Sequence, residues 1–147
     1  MTDPIAALIA RVEHLEAVAA ILALSADYCR GADQRDLPLF LSVWADDAFW
    51  QVSEEMAFRG GDEIAAAIVK QWESIKHAHH WTSNPAITID GETAEARFDG
   101  QTEVQLLDGG WLRIAGEYED RYEKRDGRWW MLSRRARVLS QRVTAAG

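Results

Sequence analysis

Apolar residues recur at helical spacing from the start of the chain: Ile5, Leu8, Ile9, Val12, Leu15, Val18, Leu22 and Tyr28 predict one long helix over residues 4–30. Pro4 suits its first turn and Gly31 is the expected terminator. A second helix is predicted over residues 36–45, where Asp36 can cap, Pro38 fits the first turn, and Leu37, Phe40, Leu41 and Trp44 share a face; Asp46-Asp47 should end it. Short strands follow at residues 49–52 and 56–59, around the polar turn Ser53-Glu54-Glu55. Gly60-Gly61-Asp62 then opens a third helix, running to about Ser74, with a stripe of Ile64, Ala65, Ile68, Val69 and Trp72.

From His77 the pattern changes to long strands. Turn signals at Asp90-Gly91, Asp108-Gly109-Gly110 and Asp126-Gly127 divide four of them, at residues 77–89, 93–107, 111–124 and 128–142, which predicts an antiparallel meander. Helices first and strands afterwards indicate an α+β domain with helices on one face of a curved sheet, and Gly100 and Gly116 are candidate bend or bulge positions. Such a sheet, capped by helices, makes a cone with an internal pocket.

Length and composition narrow the function classes. With 147 residues, 48% of them hydrophobic, and no linker or repeat, one domain spanning residues 1–147 is expected. A formal charge of -8 without a basic patch argues against nucleic acid. No apolar run approaches membrane-spanning length and the acidic amino terminus is unlike a signal peptide, so a cytoplasmic protein without a membrane partner is expected. The lone Cys29 removes any internal disulfide or cysteine metal cluster. Seven tryptophans exceed what packing alone usually recruits, and flat faces such as Trp50 and Trp81 suit the wall of an apolar pocket for a small hydrophobic molecule; the other reading is that several of the seven simply fill the core.

Candidate chemistry concentrates in two segments, Tyr28-Cys29-Arg30-Gly31-Ala32-Asp33 and His77-Ala78-His79-His80-Trp81. On a strand, Ala78 and His80 point one way and His77 and His79 the other. No acid in that segment completes a metal triad with His77 and His79, so no metal is expected. Asp33, beside Arg30 and Arg35, has two readings: a surface ion pair or cap, or a carboxylate inside the cone that fixes the tautomer of His80 and leaves it a general base. Tyr28 can reach the same space and donate to a developing oxyanion or a leaving oxygen. In the last strand, Arg134 shares a face with Trp130, Leu132, Ala136 and Val138, and Arg135 with Trp129, Met131 and Ser133. An arginine on an apolar face needs an anionic partner, whether a substrate carboxylate, a leaving group or Asp33.

Four stretches resemble a known family: Tyr28-x-x-Gly31-x-Asp33-x-x-Asp36, Trp44-Ala45-Asp46-Asp47-Ala48, His80-x-x-x-Asn84, and Gly116-x-Tyr118-x-Asp120-x-Tyr122-Glu123-x-Arg125-Asp126-Gly127-x-Trp129. Together they look like the SnoaL-like branch of the nuclear transport factor 2-like superfamily, over nearly the whole chain. The branch includes scytalone dehydratase, bile acid 7α-dehydratase and hexachlorocyclohexane dehydrochlorinase, all cofactor-free lyases. The resemblance implies a cone-shaped α+β barrel with a strongly curved, mixed but mostly antiparallel sheet and three or four helices. It also implies a homo-oligomer, a trimer in preference to a dimer. It places Asp33 and His80 on the family's Asp-His dyad, Arg134 on a site arginine, Trp50 on an aromatic wall, and Gly116 and Tyr118 on a pocket-lining strand. Glu103 matches a further acid that dehydratases carry on a middle strand.

Where the dehydrochlorinase carries lysine, this chain has Tyr28. A phenol can protonate a departing hydroxide, whereas chloride needs no proton. The expected activity is therefore a dehydratase-like β-elimination on a small hydrophobic cyclic or aromatic substrate. An isomerase or cyclase of the ketosteroid isomerase/polyketide cyclase type, or a non-catalytic ligand-binding module, is the alternative.

Overall fold

The computed structural model describes residues 3–146. Helix α1 (Pro4–Gln34) is followed by a short α2 (Leu37–Leu41), strands β1 (Trp44–Ser53) and β2 (Met56–Arg59), helix α3 (Gly60–Glu73), and the long strands β3 (Ile75–Asp90), β4 (Thr93–Leu106), β5 (Trp111–Arg125) and β6 (Arg128–Thr144). The strands form one six-stranded sheet in the order β2-β1-β6-β5-β4-β3. Only β1 and β6 pair in parallel; the other neighbours are antiparallel. The sheet stays open, curving around α1, and its inner face carries the core. The expected cone-shaped α+β architecture is what the chain adopts.

Asp3 caps α1, its side chain accepting the amide of Ile5 at 3.0 Å, and Pro4 occupies the first turn. The helix does not stop at Gly31. It ends one turn later, at Arg35 in the left-handed region (φ 55°), whose amide bonds the carbonyl of Gly31. Gly31 serves close packing instead: a Cβ there would lie 2.5 Å from the amide nitrogen of Phe40 and 2.6 Å from its Cα. Asp33 consequently belongs to the last helical turn, four residues after the buried Cys29.

Helix α2 is shorter than its pattern predicts. Asp36 caps it through the amide of Leu39 at 3.0 Å, as expected, but the chain turns into β1 at Trp44. Trp44, Ala45, Ala48 and Trp50 are buried in β1, while the exposed Asp46 and Asp47 lie inside that strand rather than ending a helix. Asp47 holds Arg125 through both oxygens, at 2.8 and 3.2 Å, which ties β1 to the end of β5.

The meander forms as its turn signals predict, with bulges that reset side-chain parity. In the hairpin of β5 and β6, Tyr122 opposes Met131 but Arg121 opposes Ser133, so Leu132 is an extra residue. Trp129 and Met131 therefore enter the core on the same side as Arg134, which corrects the uninterrupted alternation that grouped them with Arg135. A second register shift falls at Gly116, where a Cβ would come within 2.2 Å of the Arg137 carbonyl oxygen. Gly100 makes no bulge; it faces Gly116 and leaves room for the Tyr118 ring, whose Cε2 would lie 2.9 Å from a Cβ.

Candidate active site

The last turn of α1 is clamped against the sheet from two sides. Arg35 donates to the carbonyls of Ile75 and Lys76 at 2.9 and 3.1 Å, and the Trp72 indole donates to the carbonyl of Ala32 at 2.8 Å. These contacts hold Asp33 against β3. Its Oδ2 accepts the backbone amide of His80 at 2.9 Å and its Oδ1 meets Nδ1 of the same residue at 2.5 Å. Arg30 pairs with Asp27 and Arg35 with backbone carbonyls, so neither arginine competes for this carboxylate.

An Nδ1–H donated to Asp33 leaves the lone pair of His80 on Nε2, the arrangement of a positioned base. Both side chains are nearly enclosed, with 11% of Asp33 and 17% of His80 exposed. His79, on the outward side of β3, approaches Asp33 only to 3.8 Å and packs against Trp81, with ring centroids 4.3 Å apart and planes tilted by 59°.

Beside the dyad lies a cluster of rings around a buried cation. The Tyr28 ring is 6.3 Å from that of His80, 6.3 Å from Trp50 and 6.1 Å from Tyr118. The guanidinium of Arg134, with no exposure, lies 4.3 Å from the centre of both the Tyr28 and the Tyr118 ring. Its anionic partner is Asp120, bound through two nitrogens at 2.9 and 2.7 Å; Ser25 accepts a further bond at 2.9 Å. Tyr122 donates to the same carboxylate at 2.7 Å. Burial pulls against the charge of Arg134, but the Asp120 carboxylate outweighs it and holds the guanidinium protonated.

Three buried donors of this cluster, Nη1 of Arg134 and the Nε1 atoms of Trp44 and Trp50, have no hydrogen-bond partner among the described residues. Arg134 and Trp50 are register partners across β1 and β6. Unsatisfied buried donors are costly unless an acceptor reaches them. They suit an oxygen or a developing anion on a bound molecule.

The sequence-selected residues thus separate into two groups. Asp33, His80, Tyr28, Arg134, Trp50 and Tyr118 come together. Gly116 lies farther along the inner face, in a cleft of about 30 Å³ that it shares with Tyr118, Ala136 and Val138. Trp81 does not join them: the parity that turns His80 inward turns Trp81 outward, 46% exposed. Glu103 is also on the outer face, opposite His79 and paired with Arg113 at 2.7 Å, because its neighbour Thr102 takes the inward position. Asp120 and Ser25 were not selected by sequence reasoning. The signal for Asp120 was its period of two with Tyr118 and Tyr122; a plain hairpin count from Arg125 and Arg128 would set it opposite Ser133, and only the bulge at Leu132 brings Arg134 across.

The model of the SnoaL-like domain matches residues 13–135. The chain belongs to the SnoaL-like domain family. Hexachlorocyclohexane dehydrochlorinase 1 of Sphingobium indicum is 26% identical over 123 residues, 80% of this chain and 79% of the relative. The crystal structure of dehydrochlorinase LinA-type3 from Novosphingobium barchaimii LL02 superposes with a TM-score of 0.84 at 25% identity, covering 92% of this chain and 94% of that one. A protein provisionally assigned as a scytalone dehydratase, from Novosphingobium aromaticivorans DSM 12444, shares the fold with a TM-score of 0.81 at 19% identity, covering 91% and 93%. No helix of this SnoaL-like chain, among the described residues, is long and apolar enough to cross a membrane.

All three tyrosines of this SnoaL-like domain are buried, and burial raises the proton affinity of each. Tyr118 is pushed up to about 12; Tyr28 and Tyr122 also rise, the latter helped by the Asp120 charge. A spectrophotometric titration should show no tyrosinate near pH 10, where a free phenol is about half ionised. The unfolded chain loses these protons near pH 10 and the folded chain only higher, so stability is retained below that value and falls as pH climbs toward about 12. A tyrosine ionising near 10 in protein that is still folded would contradict the burial argument.

Proposed function

We propose that the protein is a cofactor-independent lyase that removes water from a small hydrophobic cyclic or aromatic substrate. The observation that carries this reading is the Asp33–His80 contact beside buried donors without partners. Nε2 of His80 takes a proton from a carbon made acidic by a neighbouring carbonyl or ring. The C–H electrons form the new double bond, the C–O bond breaks, and the departing hydroxide takes a proton to leave as water.

Tyr28 was expected to act as acid or oxyanion donor. Its raised proton affinity favours the second role, because a phenol that holds its proton tightly stabilises negative charge by donating a hydrogen bond rather than by giving the proton away. The proton for the leaving oxygen then comes from the imidazolium of His80, which resets the base within one turnover. Asp33 stabilises that imidazolium, and Arg134 with Trp50 faces the charge that develops on the substrate. Proton transfer by such a dyad contributes about 10²- to 10⁴-fold, with positioning supplying the rest. We place the reaction in the cytoplasm, on the composition and the lone Cys29.

The test is a panel of cyclic β-hydroxy carbonyl compounds and their aromatic analogues, with products read by mass spectrometry. Products lighter than substrate by one water support the lyase. A product of unchanged mass moves the reading to an isomerase or cyclase, and saturable binding without turnover moves it to a ligand-binding module.

A further inference from the structure

The N–H groups of Arg134 are shared out unevenly. Nε and one N–H of Nη2 grip Asp120 at 2.9 and 2.7 Å, and the second N–H of Nη2 goes to Ser25 Oγ at 2.9 Å. Nη1 has no partner among the described residues. A planar guanidinium offers two forks on which a carboxylate can seat both oxygens, the side made by Nε and Nη2 and the end made by Nη1 and Nη2. Asp120 fills the side. Ser25 blocks the end, because the Nη2 proton that a carboxylate would need there is already taken.

Packing does not account for Ser25. It is 1% exposed, on the buried stripe of α1 with Ile21, Leu24, Tyr28 and Cys29, where alanine would form helix more readily and need no partner. Its hydroxyl satisfies one nitrogen of Arg134 while the neighbouring nitrogen of the same group stays bare. A core that had only to accommodate this guanidinium would not leave Nη1 buried and unmet. Charge points the same way. Asp120 already balances Arg134, so a second carboxylate would bring an unmatched negative charge into a space where neither partner of the pair touches water. A carbonyl oxygen brings no charge and needs only what Nη1 offers.

We infer that Ser25 is a positioning residue that sets the substrate class: by closing the end of Arg134 to carboxylates, it leaves Nη1 for a single acceptor oxygen. The site therefore takes neutral ketones and rejects carboxylic acids of similar skeleton. This inference rests on the proposal that Arg134 faces the substrate, and it narrows the group that Arg134 meets to the carbonyl that acidifies the C–H in front of His80.

The test is isothermal titration calorimetry at neutral pH with α-tetralone and α-naphthoate, bicyclic probes that have no water to lose. The wild type should bind the ketone more tightly. Ser25→Ala frees the Nη2 proton and opens the end of the guanidinium, so naphthoate should gain on tetralone by roughly 10- to 100-fold, the worth of one hydrogen bond to a charged group. Ser25→Cys, of similar size but a weaker acceptor, should shift the ratio in the same direction, and Ser25→Thr, which keeps the hydroxyl, should hold the wild-type preference. A serine that only supports the fold would let both probes weaken together at a constant ratio. An unchanged ratio in the alanine and cysteine variants, or a wild type that prefers naphthoate or binds neither probe, overturns the inference. The readout needs no turnover, so a dehydration screen without products would end the lyase reading while leaving this ratio to be judged by itself.

Discussion

Replacing His80 with alanine is expected to lower kcat by about 10²- to 10⁴-fold, the range set by loss of a positioned general base. The fold should survive, because the backbone amide of residue 80 still donates to Asp33 Oδ2 and the end of α1 stays clamped by Arg35 and Trp72. Asp33→Asn should be nearly as damaging for a different reason. Its amide can donate a proton toward Nδ1, which favours the tautomer whose Nε2 is already protonated and cannot act as base. Since the two groups act as one device, the double variant should cost little more than either single one. His79→Ala provides the control: that ring is half exposed and 3.8 Å from the same carboxylate, so turnover should persist. Steady-state kinetics on a substrate found in the dehydration screen measures all four. Full activity in His80→Ala would end the dyad assignment.

The long elements were legible because their signals are redundant. The Asp-Gly turns of the meander agree with the strand periodicity between them, and Pro4 agrees with the apolar spacing of α1. Alternation put Ala78 and His80 on one face of β3, and the family resemblance made that face the inward one; the alternation holds between the bulges near Lys76 and Asn84. What escaped reading depends on single residues outside any period. Gly31 looked like a terminator, yet it is the place where α2 crosses α1, a contact between segments that local sequence does not describe. Leu132 carries no mark of a bulge, and its insertion decides both which tryptophan of the Trp129-Trp130 pair enters the core and which residue faces Asp120. Trp81 and Glu103 drew attention through residue type and family spacing, but strand parity, already used for His80, turns both outward.

Removing Asp120 is expected to destabilise the protein by about 3–5 kcal/mol, because the guanidinium of Arg134 would remain charged in the core without a counter-ion. Neither side chain of the pair has any exposure, so water cannot replace the lost oxygens. Tyr122 would lose its acceptor as well. In a chain of this size Asp120→Ala should therefore unfold roughly 10 °C below the wild type, with a matching fall in urea midpoint. The converse change, Arg134→Met, buries an unpaired carboxylate and should cost a similar amount. Removing both, as Asp120→Leu/Arg134→Met, exchanges an ion pair for apolar contacts and should restore most of the stability, since replacing such a pair whole is often close to neutral. That double variant separates the two roles of Arg134. If the guanidinium only supports the fold, activity returns together with stability. If its free Nη1 meets the charge developing on the substrate, the protein regains its melting temperature and stays inactive, which is the outcome expected from a buried donor held between Tyr28 and Tyr118 with no partner of its own.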